Sequence, residues 1–195
     1  MSQPIRSVAV FCGSRTGTDP IHTAAAEALG SALAAAGITL VYGGGGVGLM
    51  RVVAAAAVAG GGRVHGVIPE FLTRIEHPFP NATELEVTHS MHSRKTRMFE
   101  LSDAFIALSG GLGTIDETVE IITWRQLRLH DRPVILLDVG GWARPFVALV
   151  ESLIAAGFVA PEHRRLFAVA ADVPEAMALL RAAPEPTAAA PAERL

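Results

Sequence analysis

Residues 104–117 read AFIALSGGLGTIDE: five apolar residues in a row, a serine, the loop Gly-Gly-Leu-Gly, and then Thr114, Ile115, Asp116 and Glu117. An apolar run with no polar alternation is a strand buried on both faces, the condition of a parallel sheet covered by helices. Glycines follow at the carboxyl end of that strand, and the periodicity behind them predicts a long helix over 115–129. A tight turn needs one glycine and a helix start needs one cap. Three glycines followed by two carboxylates exceed both demands.

The same unit recurs along the chain. SVAVFC (7–12) is a strand, GSRTGTD (13–19) a loop, and Asp19 and Pro20 read as N-cap and first residue of a helix that runs to about Ala36 and stops at Gly37. ITLVY (38–42) is followed by GGGGVG (43–48) and a helix over 49–59. RVHGVI (63–68) is a third strand, and 69–83, with Pro69, Pro78 and Pro80, is the longest irregular connection. ELEVTH (84–89) reads as a further strand before a helix over 91–101, and PVILLDV (133–139) and LFAVA (166–170) supply two more strands, each followed by a helical stretch. The fold class implied is α/β, Rossmann-like: a doubly wound, mainly parallel sheet with helices on both faces. One domain is expected over 1–183, with a disordered tail over 184–195, where apolar periodicity ends.

In such a sheet ligands bind beyond the carboxyl ends of the strands. The loops 13–17, 43–48 and 110–113 all fall on that edge, each ahead of a helix. Backbone N–H groups at a helix N-terminus, unobstructed by Cβ atoms, make an anion site, so the phosphate of a nucleotide is the expected ligand. Gly43, Gly45 and Gly48 satisfy G-x-G-x-x-G, and Glu70 stands about 20 residues on, where a ribose-binding acid would be. In so glycine-rich a run that match is nearly automatic. Gly43, Gly44, Gly45 and Gly46 are a candidate second phosphate loop, although glycines there also serve tight turns. No G-x-x-x-x-G-K-[ST] occurs, which excludes a P-loop NTPase.

Composition narrows the classes. The 195 residues are 50% hydrophobic with a net charge of -3 and no basic tract, which argues against nucleic acid as a partner. The alanine-rich runs are too short and too interrupted by glycine to span a bilayer. A lone cysteine, Cys12, and no signal-peptide pattern point to a reducing cytoplasm. Cys12, at a strand end, reads as a small buried apolar residue. Of 16 basic residues Lys95 is the only lysine, and it lies in MHSRKTRM (91–98) with Arg94 and Arg97, immediately before the strand that opens this reading. A basic helix face is ordinarily just solvated, and this placement counts against that. His89 and His92 have no carboxylate or cysteine spaced to complete a metal site, so no metal is expected.

At this point the residues resemble a known family. GGLGTIDE looks like the P-G-G-x-G-T-x-x-E motif of the Lonely Guy family, the cytokinin riboside 5'-monophosphate phosphoribohydrolases, and MHSRK resembles its M-x-x-R-K segment. VFCGSR, VYGGGGVGLM, GVIPEFL, SDAFIALSGGLGT and EIITWRQLRLHDRPVILL follow in the same order, over roughly residues 6 to 170. The resemblance implies hydrolysis of the N-glycosidic bond of adenosine-type 5'-monophosphates, N6-prenylated ones included, to free base and ribose 5-phosphate, with no cofactor. It implies Arg94 and Glu117 as the catalytic pair, and Glu76, Lys95, Thr123 and the loop Gly111, Leu112, Gly113, Thr114, Ile115 and Asp116 as the residues that hold the nucleotide. Ser109 departs from the pattern, standing where the motif has proline; proline would stiffen the loop entry, whereas serine keeps an N–H and adds a hydroxyl.

The chemistry suits the residue types. Breaking a ribosyl C–N bond builds positive charge on the sugar, which a carboxylate such as Glu117 stabilises or for which it orients a water. The helix dipole is expected to keep Glu117 ionised, with Thr114 as N-cap and Asp116 as a helix-start acid. Arg94 either binds phosphate or assists the departing base. Proteins of this type are often labelled lysine decarboxylases, but a pyridoxal enzyme needs a Schiff-base lysine and Lys95 is the sole candidate. A homodimer or larger homo-oligomer is implied, and Ile121, Ile122, Trp124 and Leu127 serve either that interface or the core. The rival classes are a non-catalytic nucleotide or molybdenum-cofactor carrier of the same fold, and an NAD-dependent oxidoreductase resting on GGGGVG alone.

Overall fold

The structure, a computed structural model, describes residues 5–183; the tail expected over 184–195 lies outside the described residues. In chain order the elements are β1 (Ser7–Phe11), α1 (Pro20–Ala35), β2 (Thr39–Tyr42), α2 (Gly48–Ala59), β3 (Val64–Pro69), α3 (Glu70–Glu76), β4 (Glu84–Thr88), α4 (Met91–Glu100), β5 (Ala104–Ala107), α5 (Leu112–Gln126), β6 (Val134–Leu137), α6 (Arg144–Ala155), β7 (Ala168–Ala170) and α7 (Val173–Ala182). Two 3-10 turns, Val139–Gly141 and Pro161–Leu166, complete them.

The strands form one seven-stranded sheet in the order β4-β3-β2-β1-β5-β6-β7, and every pairing is parallel. The inner strands are buried on both faces, whereas the edge strand β4 is mostly exposed. Val8 and Val10 of β1 face Leu29 and Leu33 of α1, Val53 of α2 and Leu180 of α7 in one cluster; Ala9 and Phe11 face Phe99 of α4 and Ile121 and Trp124 of α5 in the other. Double-sided burial is why the strands read as unbroken apolar runs. Chain order runs outward from β1 to β4 and then jumps back to β5 on the other side of β1. The loops after β1 and β5 therefore diverge at this switch point and open the crevice in which such sheets bind ligands.

Local signals explain most boundaries. Asp19 accepts from the Ile21 N–H at 3.0 Å, with Pro20 opening α1, as the sequence predicts. Cys12 is buried as expected. The structure differs in two places. The connection 69–83 carries a helix, α3, with Pro69 in the cap position and Glu70, an acid suited to the positive end of a helix, in its first turn. Helix α5 begins at Leu112, not at 115, with Gly111 in the cap position, so Thr114 is a buried first-turn residue and not the N-cap. On α5, Ile121 and Trp124 belong to the core and Ile122 packs against it, while Leu127 is exposed.

Candidate active site

Three glycine loops meet at the carboxyl edge. The Gly13 N–H donates to the Ser109 carbonyl at 3.0 Å, and the Leu49 N–H donates to the Gly13 carbonyl at 3.0 Å, so the loops after β1, β2 and β5 are tied into one surface. The Trp142 indole Nε1 donates to the Gly110 carbonyl at 2.9 Å.

The glycines of the β5 loop separate by role. A Cβ on Gly110 would collide with the Thr114 hydroxyl and lie 2.8 Å from the Gly13 nitrogen, so close packing explains that residue. Beyond the adjoining residues and the helix's own backbone, Gly111 and Gly113 have no atom within 4 Å of the Cβ position, and neither has a positive φ. Neither packing nor backbone strain calls for glycine there. What a side chain would obstruct is the approach to the N–H groups of Leu112, Gly113 and Thr114, which in the first turn of a helix have no intrahelical acceptor. The next N–H, that of Ile115, already donates to the Gly111 carbonyl at 3.1 Å.

Helix α4 brings the basic segment alongside. Ser90 caps α4 through reciprocal bonds with Ser93, which fixes the start of the helix, and Arg94 lies on its buried face. Arg94 and Glu117 are both 7% exposed, and Arg94 Nη1 lies 3.1 Å from Glu117 Oε1. The other two guanidinium nitrogens each donate to backbone, Nε to the Val67 carbonyl at 3.2 Å and Nη2 to the Gly43 carbonyl at 3.5 Å. A Cβ on Gly43 would overlap the Arg94 guanidinium, so this glycine is the space into which Arg94 fits. Burial raises the Glu117 pKa to about 6; the adjacent Arg94 charge opposes that rise, and Asp116 adds to it. Glu117 sits in the second turn of α5 and is desolvated, so its carboxyl lies above the ordinary carboxylate range while still ionised at neutral pH.

The other expected residues divide. Lys95 Nζ is 3.2 Å from Asp116 Oδ2 and 3.0 Å from Glu120 Oε2. Burial lowers its pKa, but the bonds to Glu120 and Asp116 outweigh that and leave it raised. Asp116 is therefore a partner of Lys95 on an exposed face. Glu76, at the end of α3, has one buried carboxylate oxygen without a hydrogen-bond partner and a pKa raised by burial, with Arg94 opposing. Gly45 forms a bridge to Pro78, and the Gly46 N–H is taken by the Glu76 and His77 carbonyls at 3.1 and 2.9 Å. The loop Gly43–Gly46 thus anchors the segment after α3 and seats Arg94. Leu112 is exposed and Ile115 half-buried; Thr123 is exposed, its hydroxyl donating to the Val119 carbonyl at 2.8 Å. Sequence reasoning missed Glu120, the carbonyls that hold Arg94, and a contact of Ser109 with His22, whose hydroxyl oxygen and Nδ1 are 2.9 Å apart. All are long-range, and only Glu120, one turn beyond Asp116, carried a spacing signal.

Comparison with known proteins shows the family. Residues 50–180 match the family model described as "Possible lysine decarboxylase". The chain is 45% identical over 177 residues to the cytokinin riboside 5'-monophosphate phosphoribohydrolase of Rhodococcoides fascians, covering 90% of this chain and 89% of that protein. It is 41% identical over 170 residues to the cytokinin riboside 5'-monophosphate phosphoribohydrolase LOG1 of Arabidopsis thaliana, covering 87% and 80%. Among solved structures, the molybdenum cofactor carrier protein of Chlamydomonas reinhardtii superposes with a TM-score of 0.69 at 24% identity over 91% of this chain and 96% of that one, a likeness of fold alone. On the strength of these matches, the chain belongs to the cytokinin riboside 5'-monophosphate phosphoribohydrolase family.

Proposed function

We propose that the chain is an N-glycosyl hydrolase that converts adenosine 5'-monophosphates, N6-prenylated or plain, and water into the free base and ribose 5-phosphate. One observation carries the proposal: two glycines that nothing in the fold requires open the first turn of α5, and the same helix presents a buried carboxylate one turn further on. The 5'-phosphate accepts from the N–H groups of Leu112, Gly113 and Thr114, at the positive end of the α5 dipole. Glu117 lies five residues beyond Leu112, about 7 Å along the helix axis, a span matched to the ribose of a nucleotide held by its phosphate.

The bond between C1' and the base nitrogen breaks as the ring oxygen lends density to C1'. Glu117 faces the resulting positive charge and takes a proton from the water whose oxygen joins C1'; the departing base nitrogen takes up a proton from solvent, and Glu117 then returns its own to solvent, so that one water is consumed for each bond broken. Arg94, with its donors on Glu117, Val67 and Gly43, orients the carboxylate and holds it in the ionised form. The unpartnered oxygen of Glu76 supports a polar contact to the nucleotide, and Lys95 braces α5 through Asp116 and Glu120. The exposed Val119, Thr123 and Leu127 support association through α5 into a homodimer, which light scattering tests. Among the described residues no helix is long and apolar enough to cross a membrane, and a cytoplasmic site of action is part of the proposal.

The test is incubation with AMP, isopentenyladenosine monophosphate and unphosphorylated adenosine, followed by chromatography for free base. Release from the monophosphates and not from adenosine is expected. Tight nucleotide binding without release would instead mark a carrier.

A further inference from the structure

Ser109 occupies the place of the motif proline, where a pyrrolidine ring would fix φ ahead of the phosphate loop. Serine leaves that torsion free, and the fold supplies a different restraint. The Ser109 hydroxyl is buried, and its oxygen lies 2.9 Å from Nδ1 of His22, a first-turn residue of α1. Gly17 and Gly140 flank the half-buried imidazole: a Cβ on Gly17 would meet its Cδ2 at 3.2 Å, and one on Gly140 would meet its Cε1 at 3.6 Å. His22 thus lies between the loop after β1 and the 3-10 turn after β6, and its ring reaches the loop after β5 through Ser109. That 3-10 turn adjoins Trp142, which grips the next residue, Gly110, through its carbonyl. Gly17, His22, Ser109, Gly110 and Trp142 line one cleft of about 600 Å3 that opens beside Gly111 and Leu112.

We propose that His22 and Ser109 are a positioning pair: their hydrogen bond sets the entry of the α5 loop and so aligns the N–H groups that receive the 5'-phosphate. The pair takes over the stiffening that a proline would provide, and neither residue takes part in the chemistry. The proposal rests on the phosphate reading above.

The experiment compares the parent with Ser109→Ala, His22→Ala, the double alanine variant, and Ser109→Pro made in the His22→Ala background. The measurements are KM and kcat for AMP, hydrogen exchange of the amides of 110–114, and melting temperature. Each single alanine variant should raise KM for AMP by about threefold to tenfold, the scale of one net hydrogen bond, with kcat changing less. Exchange at 110–114 should quicken. The double alanine variant should be no worse than the weaker single one, because one bond is lost either way. Ser109→Pro should return KM and exchange toward parent values although His22 is absent. A purely structural contact would lower the melting temperature in the single variants and leave KM and exchange as in the parent, which overturns the proposal, as does a proline variant that recovers neither. A parent protein that releases no base from AMP would defeat the hydrolase reading instead. The amide exchange, and the affinity for inorganic phosphate measured across the same variants, would still decide the pair.

Discussion

Replacing Gly113 by alanine should make the protein more stable and a poorer nucleotide binder, a combination that a purely structural glycine cannot give. Gly113 is the second residue of α5, its φ is not positive, and the added methyl meets nothing within 4 Å. The folded state accepts alanine without strain, and the unfolded chain loses freedom, a gain of about 0.4–1 kcal/mol. For a domain of this size that raises the melting temperature by about 1–4 °C. The same methyl group stands over the first-turn N–H groups of α5. Loss or lengthening of one charge-assisted bond to phosphate costs about 1.5–3 kcal/mol, so AMP affinity should fall by roughly tenfold to a hundredfold. Gly110→Ala is the comparison, because its methyl collides with Thr114 and crowds the Gly13 nitrogen; it should cost about 1–3 kcal/mol of stability. Differential scanning calorimetry and titration calorimetry with AMP read both quantities. A Gly113→Ala protein that binds AMP as tightly as the parent would show that no ligand approaches this turn, and the reasoning from open glycines would be refuted.

Further outcomes follow from the charges. Glu117 titrates at about 6 in the folded protein, above its ordinary 4.5, and the ionised form is the active one; kcat/KM for base release should rise through about pH 6 and level off above it, and a flat profile from pH 5 to 7.5 would contradict that. The same shift means that the folded state binds this proton more tightly than the unfolded chain, so up to about 2 kcal/mol of stability present below pH 4.5 is lost as pH rises through 6, which denaturation at several pH values checks. Arg94→Ala strands the buried Glu117 carboxylate, which should cost about 3–5 kcal/mol of stability, abolish most turnover, and move any residual acid limb to higher pH; an unmoved limb would mean that Arg94 does not hold Glu117 ionised. Lys95, engaged by Asp116 and Glu120 with its pKa raised, should form no pyridoxal aldimine; a borohydride-fixed adduct mapped to Lys95 would overturn this.

The fold was legible because double-sided burial writes the inner parallel strands as apolar runs, the exposed edge strand β4 being the exception, and because the three glycine loops repeat at the same end of the strands. The start of α5 was not, since Gly111 and Gly113 suppress helix propensity and mask a helix that begins at Leu112. Helix α3 hid between prolines that read as an irregular connection, although Pro69 followed by Glu70 is a helix-start signal. Arg94 and Glu117 stood out through motif resemblance. Their coupling did not, because it depends on the Val67 and Gly43 carbonyls, which leave no mark in side-chain pattern. The His22–Ser109 contact joins residues 87 positions apart, and no spacing rule reaches that far.

In the proposed reaction the Glu117 carboxylate drives cleavage of the ribosyl bond of a nucleotide held at the α5 N-terminus. The most direct measurement is base release from AMP and from isopentenyladenosine monophosphate by the parent and by Glu117→Gln, with AMP affinity and circular dichroism recorded on both. The amide keeps the shape of the carboxylate and an oxygen for Arg94, so the variant should remain folded and bind AMP, while base release falls by roughly 10²-fold or more, about 3 kcal/mol of barrier. A folded Glu117→Gln protein that releases base at near the parent rate would contradict the account.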